Sequence, residues 1–148
     1  MNLRLIKYSF LALLFAFFSC DSLEDKKGRF LLKGNEKMEE NDPKSALEFY
    51  QEAIALDSAY TDAYFNKAMA HLRINQLDEA ILDFSKAIEI RPDYYEAIFQ
   101  RGLSYLDNGE FYKAREDANR LVGLNAEDWK SHFLSGLVFE KLRNFPEA

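Results

Sequence analysis

A spacing of 34 residues constrains the fold of this 148-residue chain more than any other feature of its sequence. Similar residues recur at that interval in several independent columns. One column is alanine throughout, at Ala46, Ala80, Ala114 and Ala148, and a second holds the small residues Gly34, Ala68, Gly102 and Gly136. Self-similarity at a fixed period of roughly 20–50 residues is the signature of a repeat array. We therefore predict a stack of equivalent units.

Each unit is predicted to be a pair of helices, because apolar residues recur at helical spacing on either side of a short polar break. The breaks are Asn41-Asp42-Pro43, Asn75-Gln76, Asn108-Gly109 and Asn144-Phe145-Pro146. Asp42 followed by Pro43 is a helix start signal, since aspartate caps a first turn and proline is tolerated there. Pro92 is predicted to end the second unit, because proline cannot continue a helix.

The second unit carries the most complete form of the pattern, in Tyr64, Ala68, His71, Ala80, Phe84, Ala87 and Pro92. From about residue 27 to residue 148, the pattern resembles the tetratricopeptide repeat. The resemblance implies an all-α, right-handed solenoid of antiparallel helix pairs. Its units are 27–60, 61–94 and 95–128, followed by 129–148. Five departures from the motif are interpreted as ordinary variation: Lys33, Lys67 and Arg101 replace a leucine, His71 replaces a tyrosine, and Ala118 replaces an aromatic residue.

The last segment, 129–148, leaves two interpretations open. Trp129 to Arg143 is predicted to form one helix, and Asn144 begins another helix-start signal before the sequence ends at Ala148. The segment is either a partial fourth unit of a longer array or a helix that caps three units. The start signal favours the partial unit. An uncovered apolar end would promote self-association.

The first twenty residues are predicted to be a targeting signal. Arg4 and Lys7 precede an uncharged apolar run over 8–18, which is shorter than the roughly 20 residues of a membrane-spanning helix. The run ends at Ser19-Cys20, which resembles the lipobox of bacterial lipoproteins. That resemblance implies a signal peptide over 1–19, a lipid on Cys20 and a short acidic tether over 20–26. An ordinary secreted protein, or an uncleaved signal anchor with a chance cysteine, is the alternative.

Charge and composition exclude several classes of function. The formal net charge is −6, so a nucleic-acid-binding face, which needs clustered Lys and Arg, is not expected. A single cysteine excludes an intrachain disulfide and a cysteine-rich metal site. His71 and His132 occupy repeat columns, where a structural role is expected. No catalytic, cofactor or metal motif occurs, and we predict that the chain is not an enzyme.

Peptide binding is the function that the resemblance implies. In this family the first helices of the units line a concave groove. The resemblance assigns to this groove Leu31, Asn35, Phe65, Asn66, Met69, Phe99, Leu103, Phe133 and Leu137. Its aromatic residues would form a ladder of anchors for a partner peptide. The alternative is that these rings pack mainly on neighbouring helices.

One class of partner is not expected. Family members that bind the carboxyl-terminal tails of chaperones use a clamp of Asn, Lys and Arg. Asn35 and Asn66 match the Asn positions, but Leu31, Glu96 and Gln100 replace the cations. We therefore expect a peptide held by its apolar side chains.

The predicted function is a non-catalytic scaffold, lipid-anchored in a bacterial cell envelope, that assists the assembly of envelope complexes. The outer membrane is favoured, and the inner membrane is possible. The alternative is an accessory or anchoring domain of a larger catalytic complex, or a fragment of a longer repeat protein.

Overall fold

The computed structural model describes residues 22–144, and these residues form seven α-helices and no strand. The helices are α1 (Leu23–Glu39), α2 (Pro43–Leu56), α3 (Thr61–Arg73), α4 (Leu77–Ile90), α5 (Tyr95–Asp107), α6 (Phe111–Leu124) and α7 (Trp129–Asn144). The predicted all-α solenoid of helix pairs is therefore confirmed. None of the helices in this described part of the chain is long and apolar enough to span a membrane. Cys20 and the predicted signal peptide lie outside the described residues.

The start of α1 differs from the predicted boundary at residue 27. Ser22 caps the helix, because its hydroxyl accepts from the Asp25 N–H while the Asp25 carboxylate accepts from the Ser22 N–H. This reciprocal capping box satisfies two backbone donors that the first turn would otherwise leave free. Residues 23–26, assigned to the tether from sequence, therefore belong to the first helix.

The turns within the helix pairs repeat as the helices do. Asn41, Asn75 and Gly109 follow one another at the same interval, and all three adopt positive φ, at 59°, 59° and 78°. Asparagine and glycine are the residues that enter this left-handed region most readily. The Asp42 carboxylate then caps α2 by accepting from the Ser45 N–H at 3.2 Å.

The alanine column forms the centre of each pair. Ala46, Ala80 and Ala114 are completely buried. Within the second column, Gly34 and Gly102 are similarly constrained, because a Cβ on Gly34 would lie 2.3 Å from Cε1 of Tyr50 in α2 and one on Gly102 would lie 2.4 Å from Leu134. Small residues are therefore required where the two backbones of a pair approach.

The pairs stack with their first helices on the inner side. Successive helices pack along the chain, and further contacts join α1 to α3 and α5 to α7. No comparable contact joins α2 to α4 or α4 to α6. No comparable contact joins α3 to α5 either. Because such contacts join first helices at both ends of the array and join no pair of second helices, the described array curves around its first helices. Each unit buries the apolar face of its neighbour.

Candidate functional site

The first helices of the pairs carry all nine residues assigned to the groove from sequence. Leu31 and Asn35 lie on α1, Phe65, Asn66 and Met69 on α3, Phe99 and Leu103 on α5, and Phe133 and Leu137 on α7. Most are half-buried, but Phe99 is only 5% exposed and Phe133 is 48% exposed. The assignment of these residues to a peptide site stays a prediction. Which of them can contact a ligand depends on how their side chains pack.

Two asparagines form a hydrogen-bonded pair at the α1–α3 end of the inner side. Oδ1 of Asn35 accepts from the Tyr50 hydroxyl at 2.9 Å and from Nδ2 of Asn66 at 2.8 Å. Burial raises the pKa of Tyr50 to about 12, so its hydroxyl stays protonated and donates at neutral pH. This arrangement leaves Nδ2 of Asn35 as a donor and Oδ1 of Asn66 as an acceptor, and neither atom has another partner among the described residues.

An open cavity of about 350 Å³ lies beside this pair. Met38 and Met69 supply apolar surface to it, and Glu39 is its one charged lining residue. Methionine is unbranched and adapts to irregular shapes. A donor, an acceptor and adaptable apolar walls suit an extended peptide, whose backbone offers both kinds of hydrogen-bonding group.

Aromatic residues gather at the α5–α7 end. The ring centroid of Phe99 lies 5.9 Å from that of Trp129 and 6.4 Å from that of Phe133, and Trp129 and Phe133 are 6.0 Å apart. These separations are typical of favourable aromatic pairs. Trp129 is 62% exposed. Phe99 therefore forms the buried part of the cluster, while the rings of Trp129 and Phe133 are exposed to solvent.

Phe65 belongs to a different cluster. Its ring packs 5.6 Å from Phe84 of α4 and 5.1 Å from Tyr94, and the guanidinium of Arg91 lies 3.5 Å from the centre of the Tyr94 ring. The expected continuous ladder of rings is therefore replaced by two clusters. Phe65 therefore follows the alternative interpretation, in which the rings of this column pack mainly on neighbouring helices.

The charges near the second cluster are paired. Glu96 accepts from Lys130 at one carboxylate oxygen and from Gln100 at the other, the latter at 3.1 Å. The Lys130 ammonium also lies 5.5 Å from the centre of the Phe99 ring. Because Glu96 neutralises Lys130, this lysine is a poor binding group for a carboxylate ligand.

Two of the three basic residues in the leucine position of the motif, Lys67 and Arg101, form ion pairs, whereas the Lys33 ammonium lies 5.7 Å from the centre of the Phe49 ring. Lys67 lies 3.2 Å from the buried carboxylate of Asp83, and Arg101 binds Asp117 through two hydrogen bonds of 2.6 and 2.9 Å. Each base precedes its acid by 16 residues. That shared spacing is the signal from which these ion pairs could have been found.

His71 belongs to the first of these ion pairs. Its Nε2 lies 3.4 Å from Oδ2 of Asp83, and its Nδ1 lies 2.7 Å from Oε1 of Gln76. Burial raises the pKa of Asp83, and the nearby Lys67 opposes that shift. His132 is exposed on α7. Among the described residues no group of His, Cys, Asp and Glu is arranged to hold a metal ion.

Trp129 is the inner-side residue that sequence reasoning missed. It is the only tryptophan in the chain, and it stands at the first position of α7. Its repeat column holds Tyr95 in the preceding unit and Thr61 before that, so the aromatic Tyr95 is the signal from which Trp129 could have been found.

Solved structures with similar folds come from several proteins. The first TPR of Spaghetti (RPAP3) bound to HSP90 peptide SRMEEVD has a TM-score of 0.75 and 19% identity over 80% of this chain and 94% of that chain. The second TPR domain of human RPAP3, in complex with HSP70 peptide SGPTIEEVD, has a TM-score of 0.75 and 24% identity over 80% and 98%. The Sgt2 TPR domain from Aspergillus fumigatus has a TM-score of 0.74 and 18% identity, with 82% of each chain covered.

Three family models, each described as tetratricopeptide repeat, match residues 29–60, 61–94 and 99–148. No curated protein sequence matches the chain. The matched segments cover most of the described helices, and the match over 61–94 contains the α3–α4 pair. The chain therefore belongs to the tetratricopeptide repeat family.

Proposed function

We propose that this chain is a non-catalytic scaffold that binds a peptide segment of another protein along its inner side. The observation that carries the proposal is the pair Asn35 and Asn66, held in place by the buried Tyr50 hydroxyl. Side chains that are fixed before binding lose little conformational freedom when a ligand arrives. The peptide-bound relatives of the same fold support a ligand of this kind.

The peptide is held at two points. At the α1–α3 end, the free amide groups of Asn35 and Asn66 bind its backbone. At the α5–α7 end, Trp129 and Phe133 contact one of its apolar side chains. An aromatic ring buries about 150–250 Å², so covering the exposed half of each ring contributes about 2–3 kcal/mol before ordering costs.

The charge of the inner side disfavours acidic tails such as the SRMEEVD and SGPTIEEVD peptides seen with the RPAP3 domains. Glu39 lines the cavity beside the asparagines, and Glu96 neutralises Lys130. A peptide that is apolar and neutral or basic fits these surroundings better, because an acidic tail would meet like charge without a free cation at these positions.

A library of displayed peptides, selected against the immobilised chain, tests the proposal. We expect enriched sequences that combine an apolar anchor with neutral or basic flanks, while synthetic SRMEEVD shows no binding. Asn66→Ala and Phe133→Ala should each weaken the selected peptides about tenfold, or 1.4 kcal/mol. Leu82→Ala is the matched control, because Leu82 is 70% exposed on α4, away from the inner side. Equal binding by all three variants would refute the inner-side site.

We further propose that a lipid on Cys20 anchors the chain to a bacterial envelope membrane, where the scaffold assists the assembly of envelope complexes. One acyl chain binds a membrane only marginally, whereas two or three hold a protein there stably. Since α1 begins at Leu23, the three residue steps from Cys20 to this helix span at most roughly 10 Å. The inner side would then act on partners close to the membrane.

Mass spectrometry of the amino-terminal peptide tests the anchor, and fractionation distinguishes the outer membrane from the inner membrane. We expect Cys20 to be the first residue and to carry acyl mass. An amino-terminal peptide with an unmodified Cys20 would refute the anchor and leave the peptide site untouched.

A further inference from the structure

The cavity beside the asparagine pair is formed by residues of three described helices. Its lining residues are Asn35, Met38 and Glu39 of α1, Tyr50 of α2, and Asn66 and Met69 of α3. It therefore lies between the first and second units, and Glu39 is roughly 24 Å along α1 from the start of that helix at Leu23. A volume of about 350 Å³ is near the lower limit of ligand pockets and suits one long side chain rather than a folded element.

Glu39 carries the one charge in this cavity, and no neighbour neutralises it. Its carboxylate makes no ion pair or hydrogen bond with another described residue. Lys37, two positions earlier, is already paired with Glu40 at 2.5 Å. Arg73, which follows Met69 by one turn of α3, does not line the cavity. A cation that enters the cavity would therefore meet an unpaired carboxylate.

Two methionines give the cavity apolar walls that lead to this carboxylate. Met38 and Met69 are partly buried, whereas Glu39 is exposed. Lysine and arginine bury their aliphatic stems along apolar surface while the charged end stays in water. Flexible apolar walls with a carboxylate at the exposed edge therefore match both parts of a basic side chain.

The asparagine pair fixes where such a side chain would come from. A peptide whose backbone is bound by Nδ2 of Asn35 and Oδ1 of Asn66 runs directly beside the cavity. Only the residue held by the two amides, or the one next to it, can place its side chain there. The basic residue would therefore occupy a fixed position in the peptide.

We propose that this cavity is a specificity pocket for a lysine or arginine side chain of the bound peptide, and that Glu39 recognises its charge. The stem of the side chain packs on Met38 and Met69, and its charged end pairs with the Glu39 carboxylate. This inference rests on the proposed inner-side peptide site. It deepens that proposal, because it places a basic residue at one position of the peptide rather than anywhere in its flanks.

The effect of this ion pair is moderate, because Glu39 is exposed. Exposed ion pairs contribute little to binding, so removing either charge should weaken the peptide about threefold to fivefold. The loss should shrink as sodium chloride is added, because salt screens exposed charges. A loss that came only from damaged packing would not depend on salt in this way.

Selection of the displayed peptide library against four forms of the full chain tests the pocket. The forms are wild type, Glu39→Gln, Glu39→Lys and the control Glu36→Gln, since Glu36 is exposed on the same helix and does not line the cavity. We expect wild type and Glu36→Gln to enrich lysine or arginine at one position relative to the apolar anchor. Glu39→Gln should lose this enrichment, and Glu39→Lys should enrich aspartate or glutamate there instead.

A synthetic copy of one peptide enriched by wild type then measures the pairing directly. Fluorescence anisotropy compares this peptide with a copy that has the uncharged norleucine at the basic position. We expect norleucine to weaken binding to wild type about threefold to fivefold and to leave binding to Glu39→Gln unchanged.

The results separate failure of the pocket from failure of the peptide site. No fixed basic position in the wild-type selection, an enrichment by Glu39→Gln equal to that of wild type, or an equal loss in Glu36→Gln would overturn the pocket and leave the peptide site in place. Selected peptides that bind wild type and Asn66→Ala equally would refute the inner-side site and the pocket together.

Discussion

The same substitution, glycine to alanine, should have opposite effects on stability at the first and last positions of the glycine column. Gly34 and Gly136 both lie inside first helices. The added Cβ would stand 2.3 Å from Cε1 and 2.6 Å from Cδ1 of Tyr50 at position 34, but in open space at position 136. Tyr50 cannot move aside easily, because it is 1% exposed and its hydroxyl is bound to Asn35.

The magnitudes follow from two opposing terms. Alanine within a helix is favoured over glycine by roughly 0.5–1 kcal/mol. Inserting a methyl group into a well-packed core costs about 1–3 kcal/mol. A contact well below 3 Å to a fixed ring belongs in the upper part of that range, so Gly34→Ala should lose about 1–2 kcal/mol net. Gly136→Ala should gain about 0.5–1 kcal/mol, because only the first term applies.

Urea unfolding followed by far-ultraviolet circular dichroism measures both changes. The two variants should differ by about 1.5–3 kcal/mol in the free energy of unfolding, or by roughly 10 °C in thermal midpoint. The slope of this free energy against urea concentration should be the same for both variants. An equal slope shows that both unfold in the same cooperative transition, which repeat proteins do not always do. Equal stability of Gly34→Ala and Gly136→Ala would refute the packing of α2 on α1 and the open space around Gly136.

Three further predictions concern polar groups. Tyr50→Phe removes the hydrogen bond to Asn35 and should lower the free energy of unfolding by about 0.5–1.5 kcal/mol and weaken peptides selected on the inner side. Burial raises the pKa of Asp83, so the folded state binds the proton more tightly than the unfolded state does. The stability of wild type relative to Asp83→Asn should therefore rise as the pH falls from neutral toward the ordinary aspartate pKa of about 3.9, and a constant difference in urea unfolding would contradict this. Arg101→Leu leaves Asp117 buried without its partner and should cost about 3–5 kcal/mol, most of which Arg101→Leu combined with Asp117→Leu should recover in thermal unfolding.

Much of the fold was predictable because its determinants repeat along the sequence. The alanine column is buried against the paired helix in three units, and the polar breaks contain Asn41, Asn75 and Gly109, which adopt the positive φ that ends the first helices. The need for a small residue between paired helices and for a turn residue with positive φ arises in the same way in each unit. The same residue types therefore recur in the sequence every 34 residues, and this recurrence predicts the helix pairs.

The candidate site was less predictable because it depends on which way each ring packs. Phe65 and Phe99 occupy the same column, yet Phe99 is buried under the two exposed rings of α7 whereas Phe65 packs on Phe84 and Tyr94. The neighbours in α7 differ from those in α5, and periodicity contains no information about such differences. The start of α1 was missed for a similar reason, since the capping box at Ser22 stands outside the repeat.

The most direct test of the account is nuclear magnetic resonance of the labelled chain, titrated with a peptide selected from the displayed library. We expect the largest shifts of amide and side-chain signals on the inner side, at Asn35, Asn66 and the Trp129 indole, and little change in the signals of α2 and α4. Shifts confined to the second helices, with those three signals unchanged, would contradict the claim that the inner side of the array is where this protein binds its partner.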